Sequence, residues 1–157
     1  RAAGGRHLIL RTAWVYGTRG HNFLRTMMRL AAERDELRVV ADQVGTPTPA
    51  CLIADVTAEL LAHPDGLRGT YHLTANGETS WHGFAEAIMT LGVARGLLGR
   101  APRVEPIATA DFPTRARRPA YSRMDIGRLE RALGSSLPDW RDGLDRVLHQ
   151  LVALPQT

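Results

Sequence analysis

The chain has 157 residues, 44% of them hydrophobic and 23% charged, the balance of an ordinary globular protein that buries roughly two-thirds of its unfolded surface in one unit. Its 20 basic residues are all arginine and stand against 16 acidic ones, a net charge of +4 that is too small a surplus to imply a nucleic-acid partner. No apolar run approaches the roughly 20 residues needed to cross a bilayer, so no membrane partner is expected.

His7 to Tyr16 is a mostly apolar run with branched and aromatic residues, which predicts a buried strand leading into the Gly17–Gly20 turn. Asn22 is a favoured N-cap, and Phe23, Met27, Leu30 and Ala31 recur at helical spacing, predicting a helix over 23–35. Leu37 to Ala41 reads as a short strand. Between Asp42 and Pro49, Gly45, Pro47 and Pro49 argue for an ordered loop without regular structure.

Ile53, Val56, Leu60 and Leu61 place an amphipathic helix over 51–62, stopped by Pro64-Asp65-Gly66. Asp55 on it reads as a residue fixing the preceding loop. Gly69 to Thr74 is the next strand, Asn76-Gly77 a turn, and Ser80 the cap of a helix that buries Phe84, Ala85, Ile88 and Met89. Val104 to Ala108 is a strand interrupted by Pro106, and Asp111 to Ser122 an extended basic loop. Two helices close the chain: one capped by Asp125 and stopped at Gly134, the other capped by Asp139 with Trp140, Leu144, Val147, Leu148 and Leu151 on its buried face.

Strands alternating with helices predict an α/β fold with parallel pairing. No glycine-rich turn of dinucleotide-binding spacing follows a strand, because Gly92, Gly96 and Gly99 come after a helix. His21, His72 and His82 have no partners at metal-ligand spacing, so no protein-held metal is expected. Ser80, His82 and Glu86 share one helix start, where capping and exposure account for them without a hydrolase. The one cysteine, Cys51, cannot form an internal disulfide, and no secretory pattern follows Arg1; a cytoplasmic location is expected. The chain opens on Arg1 without a methionine, which suggests that its natural beginning lies upstream.

Three blocks in one order carry a resemblance: Leu-Arg-Thr-Ala-Trp-Val-Tyr-Gly at Leu10–Gly17, Asn22-Phe23, and Val-Val-Ala-Asp-Gln-Val-Gly-Thr-Pro-Thr at Val39–Thr48. They resemble the dTDP-4-dehydrorhamnose reductases, extended short-chain dehydrogenase/reductases of rhamnose biosynthesis. The likeness covers nearly the whole chain and implies the C-terminal part of a Rossmann-like doubly wound fold with the smaller substrate-binding domain, as one unit over 1–157. It implies an NADPH-dependent parent enzyme whose catalytic helix ends just before the segment aligned with Arg1 to His7. A Tyr-x-x-x-Lys pair is required in that family, and this chain contains no lysine, so the chain alone is expected to lack reductase activity.

The resemblance also implies site residues. Thr12, Ala13 and Trp14 follow a strand at its carboxyl end, where open α/β sheets bind ligands, and the family places a similar aromatic near the nicotinamide and the deoxyhexose, although a place in the core would explain Trp14 as well. Asn22 and Phe23 face the substrate diphosphate in that family, although capping alone would explain them. Gln43, Thr46, Pro47 and Thr48 would read the nucleotide, or else form an ordered turn. Arg118, followed by Pro119 and Ser122 as in the family, could hold diphosphate oxygens. Some members are helped by magnesium at a subunit interface, which also implies a homodimer. Two rival readings are a non-catalytic subunit of the methionine adenosyltransferase regulatory type and a basic nucleic-acid module. Against the latter, no aromatics interleave with the Arg115–Arg118 cluster.

Overall fold

The computed structural model describes residues 7–62, 67–114 and 116–154. Residues 1–6, the expected helix stop at Pro64–Gly66, and Arg115 of the basic cluster lie outside the described residues. In chain order the elements are β1 (Leu8–Arg11), β2 (Val15–Tyr16), α1 (Phe23–Glu33), β3 (Glu36–Val40), β4 (Val44–Gly45), β5 (Thr48–Pro49), α2 (Ala50–Ala62), β6 (Gly69–His72), β7 (Thr79–Ser80), α3 (Trp81–Ala94), β8 (Arg103–Ile107), a 3₁₀ turn at Thr109–Asp111, α4 (Gly127–Leu133) and α5 (Trp140–Ala153).

The strands pair two by two. β1 lies parallel to β6, β2 to β5 and β3 to β8, while β4 and β7 run antiparallel. Parallel neighbours need a crossover, and helices supply it: α1 and α2 lie between β1 and β6 in sequence, and α3 lies between β3 and β8. The helices bury the stripes that the 3.6-residue period marks out, with Leu24, Met27 and Ala31 from α1, Phe84, Ala85, Ile88 and Met89 from α3, and Trp140, Leu144, Val147, Leu148 and Leu151 from α5. α3 is the hub, contacting α1, α5, β3, β7 and β8. Where α5 crosses β5, Gly143 faces Pro49, whose Cγ would stand 2.9 Å from any added Cβ; the missing side chain lets helix and strand meet.

Asn22, Ser80 and Asp139 cap their helices by accepting from the N–H groups of Arg25, Gly83 and Arg141. Gly134 ends α4 with φ +69. Elsewhere the structure corrects expectation. The run His7–Tyr16 is two strands rather than one, broken at Trp14. Gly45, Pro47 and Pro49 do not exclude strand pairing: Gly45 lies in β4 opposite Thr79 and Pro49 in β5 opposite Tyr16, with Pro47 in the two-residue gap between the strands. Pro106 does not interrupt β8. The bonds to β3 run through Arg103 and Ile107, so the odd-numbered residues face the partner and the absent Pro106 N–H faces the open side. Ile126, not Asp125, occupies the cap of α4, although the Asp125 carboxylate accepts from the Gly127 N–H at 2.9 Å. Asp55 reaches away from the loop to Arg146 of α5 at 2.6 Å, a bond that raises the Arg146 pKa.

Candidate functional site

The site begins where β1 ends. Trp14 adopts φ +51, the one described non-glycine residue in the left-handed region, which costs about 1–2 kcal/mol for a residue with a Cβ. This kink separates β1 from β2 and turns the indole off the strand axis onto Trp81, the first residue of α3. The two indoles lie face to face, 3.5 Å apart and 2° from parallel. Phe23 closes one side, 4.7 Å from Trp81 and 5.5 Å from the buried Phe84. All three of Trp14, Trp81 and Phe23 are half-buried, so the cluster is not sealed into the core.

Two segments hold this platform. β4 pairs with β7, setting Val44 opposite Ser80 and Gly45 opposite Thr79. On its other side, Val44 bridges to Tyr121, with the Val44 N–H donating to Ala120 O and the Ser122 N–H to Val44 O, both at 2.8 Å. The Ser122 hydroxyl donates to the same Val44 carbonyl at 3.1 Å and accepts from Trp14 Nε1 at 3.1 Å. Gly45 approaches the indole beside Nε1 so closely that an added Cβ would lie 2.4 Å from Trp14 Cε2. At the rim, the Tyr121 hydroxyl donates to Glu78 at 2.7 Å, and Arg123 pairs with the same carboxylate at 3.3 Å.

The expected site residues divide into those that form the platform and those that shape it from behind. Trp14 and Phe23 meet in the aromatic cluster, next to the exposed Thr12 and half-buried Ala13. Asn22 spends its amide on structure: Nδ2 donates to Gly17 O at 3.0 Å and Arg19 O at 3.1 Å, while Oδ1 caps α1. Gln43, Thr46, Pro47 and Thr48 are buried. Gln43 Nε2 donates to Thr109 Oγ1 at 3.0 Å, Thr46 Oγ1 to Gly77 O at 2.8 Å, and Thr48 Oγ1 to Thr46 O at 3.1 Å. Their polar atoms thus hold the loop together rather than point outward. Arg118 stands apart, exposed on the segment that leads to Ser122. Trp81 and Gly45 are the residues that sequence reasoning passes over. The available signal for Trp81 was an aromatic directly after the Ser80 cap.

Two neighbouring ionisable groups are displaced from their ordinary range. The Thr109 hydroxyl and N–H hold the Asp42 carboxyl below its usual range. Burial pushes the Tyr16 phenol well up, and its hydroxyl has no hydrogen-bond partner among the described residues. His82 Nε2 lies 3.1 Å from Val104 O, and Nδ1 3.3 Å from Glu86 on the next turn of α3. Among the described residues, no group of three or more His, Cys, Asp or Glu could hold a metal. A cleft of about 1000 Å³ lies elsewhere, between the Thr18–His21 loop, α1 and the end of α5. Two of its three arginines are engaged, Arg25 with Thr18 O at 2.8 Å and Arg29 with Glu33 at 2.9 Å.

A family model described as the RmlD substrate binding domain matches residues 1–153. The chain belongs to that family. As an RmlD substrate-binding domain it is 46% identical to a dTDP-4-dehydrorhamnose reductase of Burkholderia thailandensis, covering 96% of this chain and 53% of that protein. Against the Escherichia coli K12 enzyme of the same name, identity is 41%, with 93% and 50% covered. A crystal structure of dTDP-4-dehydrorhamnose reductase from Bacillus anthracis in complex with NADP superposes with a TM-score of 0.82 at 35% identity, over 93% of this chain and 49% of that one. The chain therefore spans about half the length of the relatives it matches. Its fold is the mixed α/β, Rossmann-like arrangement of these reductases. No helix of the described RmlD domain is long and apolar enough to cross a membrane.

Proposed function

We propose that this RmlD domain is the sugar-nucleotide-binding part of an NADPH-dependent reductase that converts dTDP-4-dehydro-L-rhamnose to dTDP-L-rhamnose. The observation that carries the reading is the Trp14–Trp81 stack at the carboxyl end of β1, which a strained backbone holds half open. A flat indole covers a sugar face or a base and excludes water from the reacting carbon. Trp14 and Phe23 are the side chains assigned to substrate contact, and Asn22 orients the N-terminus of α1 toward the diphosphate. Gln43, Thr46, Pro47 and Thr48 keep the wall behind the platform rigid, and the exposed Arg118 supplies a bidentate hold for phosphate.

The described residues contain no glycine-rich strand-to-helix turn that fits a dinucleotide pyrophosphate. What they offer a nicotinamide is the end of β1, at Thr12, Ala13 and Trp14. Bound NADPH would supply a hydride; the proton donor and its lysine are not among these residues. Calorimetric titration with dTDP-L-rhamnose tests the reading. Binding should weaken about five- to 150-fold in Trp14→Ala, since one stacked aromatic contributes on the order of 1–3 kcal/mol. Equal affinity of the variant and the parent chain would remove the site from Trp14. The pure 157-residue chain should oxidise no NADPH, and turnover in such a sample would refute its dependence on an external Tyr-x-x-x-Lys pair.

A further inference from the structure

We infer that Ser122 is a positioning residue: its hydroxyl fixes the plane of the Trp14 indole and thereby ties the arginine-bearing segment around Arg118 to the aromatic platform. The inference rests on the reading of Trp14 as a ligand-contacting residue and extends it to a group that touches no ligand.

A serine hydroxyl has one proton and two lone pairs. Here the proton points at Val44 O, 3.1 Å away, which leaves the lone pairs toward Trp14 Nε1, also at 3.1 Å. The residue is therefore oriented from both sides. Its own N–H donates to the same Val44 carbonyl at 2.8 Å, and the Val44 N–H donates to Ala120 O at 2.8 Å, so the backbone that carries the hydroxyl cannot drift relative to β4. The indole N–H is a donor only, and Ser122 Oγ is the acceptor given to it in this structure.

The need for such an anchor follows from the backbone. Trp14 sits in the left-handed region just before the short β2, and although its carbonyl accepts from the Thr48 N–H at 3.1 Å, that backbone bond leaves the direction of the indole ring open. Stacking on Trp81 sets the separation of the rings but permits sliding and in-plane rotation. One directional hydrogen bond removes that freedom. Because Ser122 stands four residues after Arg118, an anion drawn to the exposed arginine would be held by a segment whose end is bonded to the indole. Ligand capture and ring orientation then share a support.

The test uses Ser122→Ala and Ser122→Thr in the whole chain. Face-to-face indoles give an exciton couplet in circular dichroism, and Trp81→Phe assigns it by abolishing it. Ser122→Ala should reduce the couplet in the ligand-free protein and weaken dTDP-L-rhamnose binding by about three- to tenfold, the range for one lost hydrogen bond. Ser122→Thr, which keeps the hydroxyl, should restore both. A couplet unchanged in Ser122→Ala overturns the positioning role, as does a changed couplet with unchanged affinity. If Trp14→Ala binds like the parent chain, the ligand site itself is misplaced and the inference falls with it; if Trp14→Ala fails to bind while Ser122→Ala binds fully, only the inference falls.

Discussion

Gly45→Ala is the sharpest perturbation of the platform. The added methyl would lie 2.4 Å from Trp14 Cε2, 2.6 Å from Nε1 and 2.7 Å from Ser122 Oγ, against an optimum of about 3.5–4.0 Å between carbon atoms. The ring cannot yield freely, because Trp81 already stands 3.5 Å across its face. Overpacking of this kind costs about 1–3 kcal/mol. For a domain of this size that lowers Tm by roughly 2–4 °C per kcal/mol, so a fall of about 4–8 °C is expected for a cost near the middle of the range. Thermal unfolding followed by circular dichroism measures it, with Gly99→Ala as control, since nothing lies within 4 Å of a Cβ there. In a Trp14→Ala background the penalty should shrink, because two of the three clashing atoms are gone, and the non-additivity measures the contact. A Gly45→Ala chain that melts within about 1 °C of the parent with its near-ultraviolet spectrum intact would refute the close packing.

Four further outcomes follow from the same geometry. Asn22→Ala removes a helix cap and three carbonyl contacts, and urea denaturation should show a loss of about 1 kcal/mol. Leu148→Ala empties a fully buried position on α5 and should cost about 2–5 kcal/mol by the same method. Tyr16→Phe deletes a buried hydroxyl without a partner among the described residues, so stability should hold or rise; a loss above about 1 kcal/mol would reveal a missed hydrogen bond. The Asp42 carboxyl is depressed in the folded chain, so its hold on Thr109 is complete above the ordinary carboxylate value and is lost as pH falls through the lower folded value. The Thr109 amide resonance should titrate below pH 3.8, and Asp42→Asn should abolish that titration.

The parts of this fold that depend on local chemistry could be read from the sequence. Asn22, Ser80 and Asp139 each cap the expected helix because a short polar side chain answers a free N–H within its own turn. The apolar period of α5 named its buried face, since one helix presents one stripe to the core. Long-range contacts were not legible. Nothing around Trp14 announces a left-handed residue, because the mostly apolar run continues through it; the partners its indole meets, Trp81, 67 positions away, and Ser122, are set by the tertiary fold. Pro106 argued against a continuous strand only because its open side was unknown. Gln43, Thr46 and Thr48 show the same limit in another form. Their residue types suit nucleotide contact and inward hydrogen bonding alike, and only the positions of Thr109 and Gly77 decide which atoms they meet. Arg118 was identified by its motif, but its exposure is a tertiary fact.

The most direct measurement of the central proposal uses the three tryptophans as separate reporters. Trp14 and Trp81 form the platform, whereas Trp140 is buried in the core at 1% exposure. With ¹⁵N-labelled chain, the three indole N–H resonances can be followed as dTDP-L-rhamnose is added. The platform reading predicts that the Trp14 and Trp81 signals move together along one saturable curve while Trp140 stays fixed. Signals that all remain in place at saturating sugar nucleotide, or a response confined to Trp140, would contradict it.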